Sequence, residues 1–386
     1  MKNVSINKKI LVIGGTGTMG RPLVDILKSD VSNDVWVVSR HFEKESLNKH
    51  VVVGNAFDIS FLKNSVLCRH YDAIVDFMWY DEPRFAKAMP LLLRATDQYI
   101  FLSSAAVYVE SNEIIDETTP RDYDVATEDV KKSSKEYNIV KARMENMLKD
   151  SGETNWTIIR PHLTFNSNRI PLCSWEMNTW LQRAVYGFPV AIPQDLLQYK
   201  TTLTHGSELA HQIKCLIGCK GALGEVFQLG SEKIYTWQEI LDNVCKYLKV
   251  KGYDFTVYFT DAVTIAKYCP WNKTCLMHNR MRNLCFSTKK YKEVTGDNSE
   301  FQEVNQYLEK SINDALAKYK GNKIKRKDVE YIYVQDKMVG TFTPLTHFDF
   351  VALIFYVLYR AGVPSSVMKT LIHPKLLVKR ILSMLH

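Results

Sequence analysis

The chain has 386 residues, enough for one large α/β body with an appendage, and its 46% hydrophobic and 24% charged residues exclude a disordered or fibrous protein. Its net charge of +8 is concentrated at one end: residues 319–386 hold eleven Lys/Arg against four Asp/Glu, a net of +7. Met1 to Lys9 lead straight into an apolar strand and a glycine run, leaving no room for a signal peptide, so a cytoplasmic location is expected. The eight cysteines, among them Cys215 and Cys219, and Cys269, Cys275 and Cys285, lack the paired two-residue spacing of a zinc site. Scattered reduced thiols and no metal are therefore expected.

Residues 9–13, 35–39, 51–53, 73–77, 99–103 and 157–160 are short apolar runs that read as strands. Residues 21–27, 59–65, 85–94 and 141–148 between them carry helical spacing. Strands joined by helical crossovers pair in parallel, so this half of the chain predicts a doubly wound sheet covered by helices. After Pro161 the regularity weakens. A stretch rich in Trp, Pro and Tyr, 170–199, with Trp175, Trp180 and Tyr186, reads as an inserted substrate-side segment. Residues 203–216 and 225–229 are candidates to return to the sheet, and 236–248 is an amphipathic helix opened by Thr236 with Glu239 three positions on. A lysine-rich run, 318–327, reads as a linker to the basic tail.

Within that tail, 350–359 is ten consecutive apolar residues, half of the roughly twenty that a membrane-spanning helix needs. Pro374 then opens a helix with Leu377, Val378, Ile381, Met384 and Leu385 on one face and Lys375, Lys379 and Ser383 on another. Such a helix can lie on an anionic membrane surface, or pack on the body or a second subunit.

Three motifs carry chemistry. Immediately after the first strand comes Gly14-Gly15-Thr16-Gly17-Thr18-Met19-Gly20 and then a helix. Glycines there permit a tight turn and let backbone N–H groups approach a pyrophosphate at the helix N-terminus, where the dipole favours negative charge. The fifth strand ends in Ser103-Ser104, at the carboxyl edge where open α/β sheets bind ligands. Tyr137 and Lys141 stand one helical turn apart on the same face. A phenol with an ordinary pKa near 10 is a poor base at neutral pH, which is the physical reason to want a cation nearby. At the end of the second strand, where an NAD-selective protein places Asp or Glu, stand Ser39 and Arg40. A 2′-phosphate would meet no like charge and a planar fork of donors, so NADP is the expected cofactor. NAD is the alternative, with Glu43 supplying the carboxylate from farther along.

The glycine loop, the Ser103-Ser104 pair and Tyr137-Asn138-Ile139-Val140-Lys141, in this chain order, resemble the extended short-chain dehydrogenase/reductases, especially the nucleotide-sugar epimerases, dehydratases and reductases. The resemblance covers roughly residues 8–300 and is strongest up to Pro161. It implies an α/β Rossmann-type fold: a doubly wound parallel sheet over 1–165, a smaller substrate-binding lobe over 166–318 with about 200–232 returning to the sheet, and a basic C-terminal extension over 319–386. Tyr137 would be the general acid/base, Lys141 would lower its pKa and hold the nicotinamide ribose, and Ser104 would orient the substrate oxygen. Gly14, Thr16, Gly17, Thr18, Met19 and Gly20 would cradle the pyrophosphate, Asn55 and Asp58 would lie at the adenine, and Phe77, Met78 and Pro161 would pass beside the cofactor. His162 would face the substrate, and Arg280 and Arg282 would clamp its diphosphate. Thr204 to Ala210 is similar to a later family signature, with Glu208 where aspartate is usual. Val109 and Asn138 replace residues that are commonly glycine, or glycine or alanine, which bears on substrate identity.

The resemblance implies an NAD(P)-dependent oxidoreductase acting on a nucleotide-activated sugar, with reduction of a keto-sugar the leading expectation. An epimerase working through a transient ketone and a non-catalytic dinucleotide- or RNA-binding relative are the alternatives. A homodimer, no nucleic-acid partner and a possible peripheral membrane contact through the extension complete the expectations.

Overall fold

A computed structural model of the chain describes residues 8–78, 81–319, 321–364 and 366–368. The chain divides into two compact units, Met1–Arg169, Tyr199–Thr236 and Arg282–Leu308 forming one, and Ile170–Gln198, Trp237–Met281 and Glu309–His386 the other.

The first unit is built on seven parallel strands: β1 (Lys8–Ile13), β2 (Asn33–Ser39), β3 (Lys49–Val53), β4 (Ala73–Asp76), β5 (Tyr99–Leu102), β6 (Trp156–Pro161) and β7 (Glu225–Leu229). Their order across the sheet is β7-β6-β5-β4-β1-β2-β3, so the chain winds outward from β1 in one direction, returns, and winds outward in the other. The direction of winding reverses between β1 and β4, the crevice where such sheets take ligands. Strand alternation sends Ile10 and Val12 to one face and Leu11 and Ile13 to the other, and each set is fully enclosed by helices. Burying each such side chain is worth about 1.5–3 kcal/mol relative to exposure, which is why these strands read as continuous apolar runs. The helices that matter for the site are α1 (Gly20–Lys28), α2 (Glu82–Arg94), α3 (Tyr137–Lys149) and α4 (Gly206–Leu216). Of the two candidates to return to the sheet, 225–229 does so as β7, whereas most of 203–216 is the crossover helix α4, because Leu209, Ala210, Ile213 and Leu216 recur at helical spacing.

The second unit gathers the Trp-rich segment, as helix Met177–Val185 and strand Val190–Pro193, with helix Trp237–Val250, which follows directly on Thr236. It also takes in the described part of the basic extension, which the sequence set apart. Helix Val329–Val339 carries Asp336, fully buried and held by Arg183 Nη1 at 2.7 Å and by the Tyr356 hydroxyl at 2.6 Å. Gln335 Oε1 accepts from the Ala191 N–H at 2.8 Å, capping a strand-edge donor. Charge counting missed these contacts because a few buried polar residues, not net charge, fix the packing.

The ten apolar residues from Phe350 form helix Phe350–Arg360, capped by Asp349, with Ala352, Tyr356 and Tyr359 buried and Phe350, Val351, Ile354 and Val357 exposed. Among the described residues no helix is long and apolar enough to cross a membrane. The expected amphipathic helix after Pro374 lies outside the described residues.

Candidate functional site

The glycine loop sits at the carboxyl end of β1. Gly14 has φ +79°, the left-handed region that disfavours side chains, and turns the chain off the strand. Gly20 opens α1 so close beneath it that a Cβ there would lie 2.4 Å from the Gly14 carbonyl oxygen. The Gly17 N–H donates to the Gly14 carbonyl at 3.0 Å, and the Arg21 N–H to the Gly17 carbonyl at 2.9 Å. Met19 precedes the helix without a side-chain cap, and no acidic residue stands in its first turn. The helix N-terminus, with its partial positive charge, is therefore left to a ligand, and these residues fit a pyrophosphate.

At the next strand ends, Phe77 packs against the loop, its Cβ 3.2 Å from where a Gly14 Cβ would be, with the Met78 sulfur at 3.7 Å. Asp76 is buried, accepting from the Met78 N–H at 2.9 Å and from the Tyr99 hydroxyl at 3.0 Å. Ser39 is buried at the end of β2, its hydroxyl accepting from the His41 N–H at 3.2 Å, and Arg40 beyond it is exposed. Glu43 is held by Arg21 at 3.0 Å and by Lys49 at 3.2 Å. Asn55 and Asp58 bind their own loop: Asn55 Oδ1 accepts from the Phe57 N–H, and Asp58 caps the following turn through the Ser60 and Phe61 N–H groups.

Ser104 leaves β5 in extended conformation and accepts from the Ala106 N–H at 3.2 Å. Tyr137 begins α3 and is 41% exposed as a residue, while its hydroxyl lies in a more buried position. Burial raises its pKa, and a hydrogen bond with Ser104 and the charge of Arg169 pull it the other way. The sequence reading expects Lys141 to favour phenolate; the charge of Arg169 also acts on Tyr137 in that sense. Lys141 is buried, its Nζ donating to the Leu102 carbonyl at 2.8 Å, and burial brings its pKa down to about 8 against the pull of Asp76 and Glu145.

Beneath this site lies a network that sequence reasoning missed. Glu145, fully buried, accepts from Ser103 Oγ at 2.5 Å, Arg160 Nε at 2.9 Å, Arg160 Nη2 at 2.6 Å and Arg121 Nη1 at 3.0 Å. Burial works against the charge, but the bonds and charges of Arg160, Ser103 and Arg121 outweigh it and hold the carboxyl below its usual range. Glu145 follows Lys141 by four residues, so Tyr137, Lys141 and Glu145 share one face of α3, and that spacing was the available signal. Nothing in the sequence marked Arg121 or Arg169.

The remaining substrate-side candidates disperse. His162 is buried in the first unit, with Nε2 3.3 Å from Thr201 Oγ1 and its ring 5.0 Å from that of Phe286. Arg282 is also in the first unit, buried, donating to the Tyr108 carbonyl at 2.8 Å, while its Nε has no hydrogen-bond partner among the described residues. Arg280 belongs to the second unit, buried beside the Trp237 ring at 5.9 Å, with its Nε likewise unpartnered among them.

No family model and no curated protein matches the chain. Solved structures do. The UDP-glucuronic acid 4-epimerase of Bacillus cereus, in complex with NAD, superposes with a TM-score of 0.60 at 14% identity, covering 81% of this chain and 99% of that one. The dTDP-glucose 4,6-dehydratase of Bacillus anthracis, also with NAD, gives 0.61 at 17% identity over 80% and 96%. The Bordetella bronchiseptica enzyme WbmH with NAD+ gives 0.61 at 14% identity over 81% and 99%. At such identities the likeness establishes a shared fold, in agreement with the Rossmann-type architecture read from the sequence.

Proposed function

We propose that the chain is an NAD(P)-dependent oxidoreductase acting on a nucleotide-activated sugar, and that it reduces a keto-sugar. The observation that carries the reading is the pairing of Tyr137 with Ser104 at the carboxyl edge of the sheet that bears the uncapped glycine loop. A nicotinamide bound there would supply hydride to the carbonyl carbon. Tyr137, whose raised pKa keeps it protonated at neutral pH, donates its proton to the oxygen as negative charge develops on it. Ser104 orients that oxygen through its hydroxyl, and Arg169 stabilises the phenolate left behind. Lys141, fixed on the Leu102 carbonyl, is placed to hold the ribose. Exposed Arg40 beside neutral Ser39 favours NADP(H), and Glu43 is already engaged by Arg21 and Lys49. The buried guanidinium of Arg282, with its unpartnered Nε, is the candidate for the substrate diphosphate.

A second reading, epimerisation through a transient ketone with retained NAD, is favoured by the names of the fold's neighbours, an epimerase and a dehydratase in complex with NAD. Incubating the purified chain with UDP-, dTDP- and GDP-linked sugars and keto-sugars separates the two. Reduction consumes NADPH, read at its absorbance band, whereas epimerisation changes the sugar without net cofactor consumption. No turnover with any of them, under either cofactor, would refute both.

A further inference from the structure

Away from the glycine loop and Tyr137, the outer part of the first unit brings together three side chains of different chemistry. His211 and Cys215 stand one turn apart on α4, with Cys215 Sγ 3.6 Å from His211 Nε2. Asp297 comes from the other side. Helix Lys289–Thr295 ends at Gly296, which takes φ +70° and turns the chain so that Asp297 meets α4. Its carboxylate oxygens lie 3.2 and 3.3 Å from the same His211 Nε2, and the ligand atoms of all three residues fall within 4.8 Å of one another.

Hydrogen bonds run through this cluster, the Tyr291 hydroxyl reaching both Asp297 and Cys215, yet three further groups converge on one ring nitrogen. A ring nitrogen has one N–H or one lone pair, so it serves one partner well. Here Nε2 faces a thiol sulfur at 3.6 Å, a carboxylate at 3.2 Å and the Ser299 hydroxyl at 3.1 Å. The distances from His211 to Asp297 and to Cys215 match two edges of a metal's coordination shell. With Zn–N and Zn–O bonds near 2.0 Å and Zn–S near 2.3 Å, the edges of a tetrahedron are about 3.3 Å for N to O and about 3.5 Å for S to N. The surroundings fit as well: Tyr291 donates its hydroxyl to Asp297 Oδ2 at 2.6 Å, and Ser299 Oγ donates to Oδ1 at 2.6 Å, so the carboxylate is held in orientation by its neighbours.

We propose that His211, Cys215 and Asp297 form a site for a zinc-class divalent ion, which clips α4 to the segment after Gly296. Thiolate, imidazole and carboxylate together suit zinc better than magnesium or calcium, which prefer oxygen alone. On binding, the Cys215 thiol releases its proton to solvent, and thiolate and carboxylate neutralise the dication. Sequence reading passed over the site because its cysteine pairs with a histidine on a helix and a distant aspartate, not with a second cysteine.

The test uses the tag-free, reduced full chain, stripped with chelator and titrated with cobalt(II). The site predicts a thiolate-to-cobalt charge-transfer band in the near ultraviolet with tetrahedral visible bands, saturating at one ion per chain and displaced by zinc. Cys215→Ser should lose the near-ultraviolet band, and His211→Gln should lose saturable binding, each with circular dichroism showing an intact fold. Cobalt that remains spectroscopically aqueous in the wild-type chain would overturn the proposal without any variant. So would a charge-transfer band that survives Cys215→Ser.

Discussion

Glu145→Gln isolates the buried network beneath the active-site helix. The carboxylate accepts four hydrogen bonds, three of them from guanidinium groups of Arg160 and Arg121, and Glu145 and Arg160 are almost wholly buried. An amide keeps one accepting oxygen and turns an NH2 group towards donors. It strands the Arg160 charge, whereas Arg121 retains Asp124 at 2.6 Å. Removing one partner of a buried pair costs about 3–5 kcal/mol, and urea unfolding followed by circular dichroism should show a loss of that size at pH 7. The double variant Glu145→Leu with Arg160→Met strands no charge at that position and should cost less than Glu145→Gln alone. The pH dependence has a definite sign. Because the folded pKa of Glu145 is depressed below the unfolded value, its contribution is complete above about pH 4.3 and is lost as pH falls through the folded value. The gap between wild type and Glu145→Gln should therefore be constant from neutral pH down to about pH 5 and narrow in stronger acid. A cost below about 1 kcal/mol, or a double variant as unstable as the sum of the single ones, would refute the stranded-charge account.

Lys141 gives a pH signature of the same sign, displaced to alkaline pH. Its folded pKa is about 8 against about 10.4 unfolded, so the unfolded chain holds the extra proton between these values and wild-type stability should rise with pH there relative to Lys141→Met, as urea midpoints would show. Gly20→Ala places a Cβ 2.4 Å from the Gly14 carbonyl oxygen and must shift the loop. A stability loss of about 1–3 kcal/mol is expected, with weakened dinucleotide binding in a fluorescence titration. Arg40→Ala should weaken NADPH binding by about tenfold to a hundredfold and spare NADH. If the wild-type chain binds NADH at least as tightly as NADPH, the Ser39 and Arg40 reading fails and the epimerase reading gains.

The sheet was legible because parallel strands buried on both faces need continuous apolar runs, and 9–13, 73–77 and 99–103 have them. The glycine loop was legible because Gly14 and Gly20 meet backbone constraints no other residue satisfies. Three things were hidden. The ends of 203–216 could not be told from a strand until α4 was seen packed on the sheet. A charge acting on Tyr137 comes from Arg169, thirty-two residues along the chain, and no local spacing announces it. The basic extension is joined to its unit by Arg183 and Asp336, a pair separated by 153 residues and invisible to charge counting.

The central claim is that Tyr137 moves the proton for a hydride transfer at this site, and Tyr137→Phe tests it most directly. Turnover of whichever nucleotide sugar the wild-type chain accepts should be measured beside dinucleotide affinity for both proteins. Removing one hydroxyl from a half-exposed ring should leave cofactor affinity within about threefold, well under the 1.4 kcal/mol of a tenfold change, while turnover is abolished. Turnover by the phenylalanine variant at the wild-type rate would contradict the account.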